Sequence, residues 1–305
     1  MLKMATWFLQ NYTTCKEDIV VKINVDIVLM EIKNEAFFSS GYFPQRIICL
    51  TEEPTEVLYL LGEQDRIVGI SGFTVRPARA RKEKPKVSAF IDADIEKIVA
   101  LKPDLVIGFS DIQANIAKEL IARGVTVWIN NHRSVDEIFK MIVQLGSIVG
   151  KQDAAIALVN DYKLKIENIA RQNIHRKRKP AVYFEEWFDP LITGIKWVSE
   201  LIELAGGIDI YKQHQNASLA KDRIIGNMND VADKNPDIII ASWCGKKFKK
   251  EKLVGRKDWD KINAVRNDFI FEIKSSLILQ PGPAAVSEGI REIAKIIDQW
   301  HLSKG

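Results

Sequence analysis

Two copies of one short pattern, on either side of a long helical segment, constrain the fold of this 305-residue chain more than any other feature. Asp94–Ser110 and Asn227–Cys244 each contain a short helix, a Pro-Asp pair, a four-residue apolar strand and a small residue that opens a loop. One such connection is common in α/β proteins. Two with matching flanks predict two lobes of similar architecture.

The segment between the two copies, Lys151–Arg178, has the periodicity of a helix. Its apolar residues recur every three or four positions, which predicts one amphipathic helix over Gln152–His175. At a rise of about 1.5 Å per residue it would be roughly 35 Å long, more than a crossover within one small lobe needs. A surface helix on a single domain would show the same periodicity, but the repeated pattern favours a bridge between two lobes.

Strands and helices alternate on both sides of this bridge, which predicts mostly parallel sheets with helices on their faces. Before the bridge, strands are expected over Gln45–Leu50, Arg66–Ile70, Asp104–Gly108 and Thr126–Ile129, and after it over Ala181–Glu185, Asp237–Ala241 and Phe269–Ile273. The predicted fold is therefore α/β, with two Rossmann-like lobes joined by a single long helix. The expected limits are 46–150, 151–178 and 179–305, with an N-terminal extension over 1–45 in which Ile19–Ile32 could add a strand or hairpin.

Composition and missing motifs exclude several functions. A hydrophobic content of 47% and a net charge of +4 describe a globular protein. Its basic runs, Arg176–Lys179 and Lys246–Lys252, are short and contain one aromatic residue, Phe248, too few for the base-stacking series of a nucleic-acid groove. Three cysteines and four dispersed histidines give no metal-ligand spacing. Thr51–Pro54, after the first strand, has no glycine to admit a pyrophosphate, and the common catalytic motifs are absent. We expect no enzyme activity, no protein-bound metal and no nucleic-acid partner.

Four segments carry a resemblance to a known family: Pro54–Gly62, Asp94–Ile107, Leu204–Gly207 and Asn235–Ile240. In their order and spacing, the chain from about Arg46 to His301 resembles the class III periplasmic substrate-binding proteins of ABC importers, the helical-backbone receptors for cobalamin and iron–siderophore chelates. Glu185–Gly194 and Ser242–Gly245 are most similar to the cobalamin branch. The resemblance implies two α/β lobes on a rather rigid helix, with the chelate held non-covalently in the cleft between them.

The resemblance also implies a docking surface for a membrane permease. Glu96 matches the acidic residue that one lobe of such proteins offers to a permease arginine. By the alignment on Pro236, the second lobe has Asn229 at the corresponding position, and Asp230 beside it is the expected substitute.

Five residues are predicted to bind the ligand. Phe90 falls where the cobalamin-binding proteins place an aromatic residue, by resemblance. Trp187 and Trp243 follow predicted strand ends, where a cleft loop belongs and where an indole could cover a planar ligand; either could instead pack into its own lobe. Glu185 begins an acidic tandem of which at most one carboxylate faces the cleft. Cys244 could expose its thiol there or stay inert.

The N-terminal residues bear on location. Met1–Leu9 is too short for a signal-peptide core, and Cys15 lacks the apolar residues expected before a lipid-modified cysteine. We therefore expect neither signal, which leaves a cytoplasmic location open beside the periplasmic one that the family implies.

The preferred hypothesis is a monomeric, non-enzymatic protein that captures cobalamin or a related corrinoid for an ABC importer. One alternative is an iron–siderophore receptor of the same class. Another is a cytosolic enzyme or accessory protein that reuses the fold without a transporter.

Overall fold

The computed structural model of the chain describes residues 42–217 and 219–304, and the chain from Gln45 onward forms one compact unit. The predicted strand or hairpin over Ile19–Ile32 lies outside the described residues, as does the extension up to residue 41. Below, the first lobe denotes residues 45–150 and the second lobe residues 179–304. The predicted lobe limits themselves stay a prediction.

The first lobe contains a six-stranded sheet in the order β4-β3-β2-β1-β5-β6. Its strands are β1 (Ile47–Cys49), β2 (Ile67–Ser71), β3 (Lys86–Ala89), β4 (Asp92–Ala93), β5 (Leu105–Phe109) and β6 (Val127–Asn130). Neighbours are parallel except β3 and β4. The central strands β1 and β5 are apolar along their length and buried on both faces, as interior strands of a parallel sheet require.

Five helices flank this sheet: α1 (Glu52–Leu60), α2 (Ala80–Glu83), α3 (Ile95–Ala100), α4 (Ala114–Ala122) and α5 (Val135–Ile148). Short 3₁₀ turns lie at Gln64–Arg66 and Asp111–Gln113. The start of α5 is fixed by a capping box, in which the Ser134 hydroxyl accepts the Glu137 amide and the Glu137 carboxylate accepts the Ser134 amide. This cap sets where the loop after β6 ends.

The predicted bridge is the helix α6 (Gln152–Asn173). It buries Ala155, Val159, Tyr162 and Ile166 on one face, which is the periodicity seen in the sequence. The helix ends two residues before the predicted His175. The Asn173 amide explains this end, because its Nδ2 donates to the Ile169 carbonyl and, at 2.9 Å, to the Ala205 carbonyl of the second lobe.

The second lobe contains a five-stranded sheet in the order β11-β10-β7-β8, with β9 also paired to β7. Its strands are β7 (Ala181–Phe188), β8 (Leu191–Thr193), β9 (Ile208–Asp209), β10 (Ile238–Ala241) and β11 (Ile270–Glu272). Its helices are α7 (Lys196–Leu204), α8 (Met228–Lys234), α9 (Lys250–Val254), α10 (Asn263–Arg266), α11 (Ser275–Ile278) and α12 (Ile290–Leu302). A π-helical turn, Ala285–Gly289, precedes α12, and 3₁₀ turns lie at Lys212–His214, Ala220–Arg223 and Trp259–Lys261.

The repeated Pro-Asp pattern corresponds to one structure used twice. The residue before each proline, Lys102 or Asn235, has a φ of 47° or 46°, a left-handed conformation that ends the preceding helix. The aspartate that follows caps the first strand of its lobe: Asp104 accepts the Arg46 amide at 2.9 Å, and Asp237 accepts the Ala181 amide at 3.1 Å. The strands that directly follow these aspartates, β5 and β10, pair in parallel with β1 and β7 respectively. The predicted fold class, two mostly parallel lobes on a long helix, is confirmed.

The largest departure from the predicted elements lies in the stretch expected to be a loop, Ser71–Pro85, and just after it. Helix α2 forms within this stretch, and β3 and β4 follow it. The strand β3 was not predicted because it follows Pro85, contains the polar residues Lys86 and Ser88, and has too short an apolar–polar alternation to recognise. Its outer neighbour β4 has only two residues.

The two lobes are also joined away from α6, along a seam at Gln280–Glu288. The His132 ring contacts the Pro281 carbonyl at 2.8 Å, and the Ala284 amide donates to Glu56 at 3.3 Å. Arg76 pairs with both Glu56 and Glu288. One apolar cluster runs from β1 through α5 and α6 to α12, so the lobes share a core at this seam.

Candidate functional site

The candidate site is the cleft between the loops that follow the strands of the two sheets, since ligands of α/β proteins bind outside the carboxyl ends of parallel strands. Two pairs of residues show that these loops face each other. The His132 ring, after β6, contacts the Pro281 carbonyl of the second lobe at 2.8 Å, and Gly282 packs closely against Glu53, just after β1. The cleft therefore has one wall from each lobe.

The wall of the first lobe has an exposed apolar lip. Phe73 follows β2, Phe90 and Ile91 form the turn between β3 and β4, and Ile112 follows β5; their exposed fractions range from 36% to 66%. Phe90 has a φ of 57°, which is uncommon for a bulky side chain. Its carbonyl accepts a 2.6 Å bond from the Gln113 amide, which holds this turn against the loop after β5.

The wall of the second lobe carries a stack of aromatic rings. Trp187, Phe188, Trp243 and Phe248 follow one another with centroid distances of 5.3, 4.6 and 5.1 Å. The Lys246 ammonium lies 4.9 Å from the Trp187 ring, a cation–π contact. Trp187 is half-buried and its indole donates to the Asp189 carbonyl. Phe188 and Phe248 are partly buried as well, so a ligand can cover any of these three rings but not Trp243.

Trp243, by contrast, packs into its own lobe, which is the other interpretation that the sequence left open. Its side chain is 4% exposed, and its indole nitrogen donates to Glu185 at 2.9 Å. Trp243 thus packs against Phe188 and Phe248 within the lobe. Its burial does not fit a direct contact with a ligand.

Glu185 is a correction to the predicted ligand-binding set. Parallel pairing of β7 and β10 sets it level with Ala241, inside the lobe, where it is fully buried. Arg256 binds both of its carboxylate oxygens, at 2.5 and 3.0 Å, and the Tyr183 hydroxyl donates to it at 3.1 Å. With the Trp243 indole as a further donor, its oxygens are fully used, so no acceptor remains for a ligand.

Cys244 is exposed, at the start of the loop after β10. Partial burial of its sulfur, with Glu186 and Glu52 nearby, raises the pKa of the thiol, so it is protonated at neutral pH. Within residues 42–217 and 219–304, no group of three or more His, Cys, Asp or Glu side chains is placed to hold a metal ion. Cys244 offers a neutral thiol to the cleft.

The floor of the cleft contains polar groups that the sequence reasoning did not select. Burial raises the pKa of Glu52 to about 7 and that of Glu53 to about 8. His132 is buried between the lobes, and burial lowers its pKa to about 4. Arg133 follows it. Glu52 and Glu53 lie in the first turn of α1, just after β1, and His132 and Arg133 lie in the loop after β6; their positions after strands could have marked them.

The two predicted docking residues lie in the first turns of α3 and α8, the helices of the repeated pattern. Glu96 is exposed and pairs with Arg123 at 2.6 Å. Asp230 accepts a 2.8 Å bond from the Tyr211 hydroxyl and lies 3.9 Å from Lys234. Equivalent placement on the two lobes is compatible with docking, which stays a prediction.

A separate concavity of about 880 Å³ lies beside α6, between α5 and α7. Its lining includes Phe139, Ile166 and Leu204, with Lys163 and Lys196 among the charged residues. None of the predicted ligand-binding residues reaches it. It is a second groove and not the cleft.

Comparison with known proteins agrees with this architecture. Residues 47–277 match the periplasmic binding protein family. The chain belongs to this family. An uncharacterized ABC transporter substrate-binding lipoprotein of Bacillus subtilis is 28% identical over 83% of this chain and 80% of its own length. The vitamin B12-binding protein of Vibrio cholerae is 26% identical over 79% and 85%.

A solved structure, a possible iron-binding periplasmic solute-binding protein of Staphylococcus epidermidis, superposes with a TM-score of 0.70 at 24% identity and covers 83% of this chain and 98% of its own. This likeness confirms the fold. Membership of a family of substrate-binding proteins confirms that the chain is a binding protein and not an enzyme, and that its ligand is cargo and not a covalent cofactor. Among the described residues, no helix has both the length and the apolar character that crossing a membrane requires.

Proposed function

We propose that this protein captures a large metal chelate in the cleft for delivery to an ABC permease, with cobalamin or a related corrinoid as the preferred solute. The observation that carries the proposal is that each lobe exposes apolar or aromatic side chains at the end of its sheet that borders the cleft. On the wall of the first lobe, Phe73, Phe90 and Ile112 expose apolar side chains. On the wall of the second lobe, the partly buried Trp187 ring has the Lys246 ammonium 4.9 Å from its centroid.

A bulky, partly planar solute suits these walls, because ring faces and aliphatic side chains gain contact area at little entropic cost. The resemblance of Glu185–Gly194 to the cobalamin branch and the vitamin B12-binding relative favour a corrinoid. The family is one of periplasmic and extracytoplasmic proteins, and Glu96 with Asp230 would meet the permease.

Titration with cyanocobalamin tests the proposal. We expect a saturable change in the corrin absorbance and a measurable calorimetric heat, and we expect Trp187→Ala to weaken the affinity by about tenfold or more because a buried aromatic contact is lost. Phe248→Leu, which changes the far end of the same ring stack, is the matched control. Absence of any signal at tens of micromolar would exclude cobalamin.

An iron–siderophore is the second candidate, favoured by the fold likeness to the possible iron-binding protein of Staphylococcus epidermidis. A parallel titration with ferric hydroxamates and ferric catecholates, followed by quenching of tryptophan fluorescence, separates the two. Saturation by a ferric chelate and not by cyanocobalamin would establish the second candidate. Cell fractionation tests the transport role, since recovery from the cytosol alone would contradict it.

A further inference from the structure

The turn between β3 and β4 has an uncommon backbone. Phe90, at its centre, has a φ of 57°, a conformation that bulky side chains rarely adopt. The Ile91 amide donates to the Ala89 carbonyl at 2.7 Å, which is the bond of a γ-turn, and the form with a positive φ is the rare and strained one. Such strain persists only where the surrounding structure imposes it. Because the Phe90 and Ile91 side chains are exposed, we looked for a contact that acts on the backbone of the turn.

Gln113 supplies that contact. Its side chain is fully buried, in the 3₁₀ turn that follows β5. Its Nε2 donates to the Phe90 carbonyl at 2.6 Å, and its Oε1 accepts the Phe109 amide at 2.9 Å. The orientation of the Gln113 amide is unambiguous, because a backbone amide can only donate and a backbone carbonyl can only accept. One side chain thus joins the turn after β3 to the end of β5.

This contact spans the part of the sheet edge where β1 and β2 end. In the sheet order, β1 and β2 lie between β3 and β5, so at the usual strand spacing β3 and β5 are roughly 14 Å apart. The Phe90 turn must therefore lean across the carboxyl ends of β2 and β1 to meet Gln113. Ser88, near the end of β3, reaches the same way, since its hydroxyl donates to the Leu50 carbonyl, directly after β1, at 3.1 Å. The turn accordingly reaches the crevice between β1 and β5, where the strand order reverses.

The backbone around Gln113 is shaped to admit its side chain. A Cβ at Gly108 would lie 2.7 Å from the Gln113 Oε1, so a larger residue there would displace the amide. Ser110 has a φ of 58°, and its hydroxyl accepts the Ile112 amide at 3.3 Å. The chain thus changes direction sharply between β5 and Gln113. Both features carry a conformational cost, and both serve the placement of one amide.

We propose that Gln113 is a positioning residue for solute capture: without touching the solute, it holds the Phe90 turn in the conformation that presents the Phe90 ring to the cleft. The inference rests on the proposed function in taking the cleft as the solute site. It adds that affinity depends on a buried amide, because a wall that is fixed before the solute arrives loses less conformational entropy on binding. Without this amide, the strained turn would relax and the ring would lose its fixed position.

A purely structural Gln113 would instead stabilise the loop after β5 through Phe109 and leave the Phe90 turn to hold itself. The two roles differ in the origin of any effect on affinity. If Gln113 acts through Phe90, its removal changes affinity only while the Phe90 ring is present. A double-mutant cycle between the two residues measures this dependence.

The first measurement needs no solute. ¹H–¹⁵N correlation spectra of the full chain follow the Phe90 and Ile91 amides in the wild type and in Gln113→Met, which keeps the length of the side chain and removes its amide. We expect both resonances to shift and broaden in the variant, and the Ile91 amide to exchange with solvent at least about tenfold faster. The amides of β10 in the second lobe should stay unchanged, which separates a local release of the turn from a loss of the fold.

Gln113→Glu gives a signature that a space-filling side chain would not. When protonated, the introduced carboxyl group can accept the Phe109 amide and donate its O–H to the Phe90 carbonyl, as the native amide does. When ionised, it has no donor and faces a carbonyl oxygen. Because burial raises the pKa of a carboxyl group, we expect spectra like those of the wild type at about pH 5 and like those of Gln113→Met at about pH 9. The wild type carries the same neighbouring titratable groups, so its own pH series is the reference: Asp111, His132 and Arg133.

The second measurement is calorimetric titration with cyanocobalamin and with a ferric hydroxamate. For the probe that binds, we expect Phe90→Ala to weaken affinity by about tenfold and Gln113→Met by about fivefold. In the Phe90→Ala background, Gln113→Met should change affinity by less than about twofold. Trp197→Phe in α7 is the matched control: it also removes one buried bond to a backbone carbonyl, that of Ile278, and should leave affinity within about twofold of the wild type.

Unchanged Phe90 and Ile91 resonances in Gln113→Met would overturn the proposal, because the turn would then hold itself. An affinity loss of equal size with and without the Phe90 ring would overturn it as well. If neither probe binds the wild type, the proposed function is rejected for both solutes, and the spectra with their pH dependence decide the positioning role alone. If Gln113→Met does not fold, the pH series of Gln113→Glu decides it, since at low pH that variant keeps both hydrogen bonds.

Discussion

Removal of Glu185 should destabilise the second lobe far more than it affects solute binding. Arg256 is bound to Glu185 through two nitrogens, and the exposed fractions of the two side chains are 8% and 0%. Glu185→Ala would leave Arg256 without its counter-ion in a buried position and would also orphan the Trp243 indole N–H. Breaking a buried pair in this way costs about 3–5 kcal/mol, a large part of the roughly 5–15 kcal/mol that stabilises a typical domain.

The assay is urea unfolding followed by tryptophan fluorescence, because Trp243 contacts Glu185 and Trp259 lies 4.4 Å from the Arg256 guanidinium. Glu167→Gln is the matched control: its carboxylate is exposed and pairs with Arg171 one turn along α6. That surface pair is worth only about 0.3–0.5 kcal/mol. The double variant Glu185→Ala, Arg256→Ala should cost less than the two single variants added together, since each alone strands the other partner.

A different outcome would refute this reasoning. If Glu185→Ala unfolds within about 0.5 kcal/mol of the wild type, the carboxylate does not serve as the internal counter-ion of Arg256. If the same variant also loses solute binding, Glu185 is a ligand-binding residue after all, as the sequence suggested.

Three further predictions follow from the site. Trp187→Ala should lower solute affinity with little loss of stability. Trp243→Ala should lower the free energy of unfolding by about 3–5 kcal/mol, because loss of a buried indole leaves a cavity; equal effects of the two variants on stability would contradict their different burial. Burial raises the pKa of Glu53 from 4.5 to about 8, so the folded state binds more protons between these values and stability should fall as pH rises through them; a Glu53→Gln variant with an unchanged pH profile of urea midpoints would oppose this. Glu96→Ala and Asp230→Ala should each weaken permease binding in a pull-down from membranes and leave solute binding intact; unchanged capture would remove the docking surface.

The fold was largely predictable because its determinants are local. The apolar runs of β1, β5 and β10, the periodicity of α6 and the two Pro-Asp turns each depend on residues close together in the chain. Even the reuse of one structure in both lobes is visible in the sequence, since Asp104 and Asp237 cap equivalent strands.

The site was less predictable because its chemistry depends on distant partners. Phe90 was selected by its resemblance to an aromatic position of the cobalamin branch, and Trp187 was expected after a strand that in the structure continues through it to Phe188. The burial of Glu185 depends on its ion pair with Arg256, which is 71 residues away in the chain, and no local sequence pattern links the two residues. The burial of His132 likewise depends on Pro281, which is 149 residues away in the chain.

The rigidity expected of the cleft belongs to the seam as much as to α6. A bridge helix alone resists bending but leaves the lobes free to twist about its ends. Here the Val135 amide donates to Glu200 at 2.7 Å, His132 contacts Pro281 at 2.8 Å, and Arg76 joins Glu56 to Glu288. A closing motion would have to break several of these contacts, each worth about 0.5–3 kcal/mol, and disturb the apolar cluster that both lobes share. We therefore expect solute to enter a preformed cleft, so that affinity is set by the complementarity of its walls.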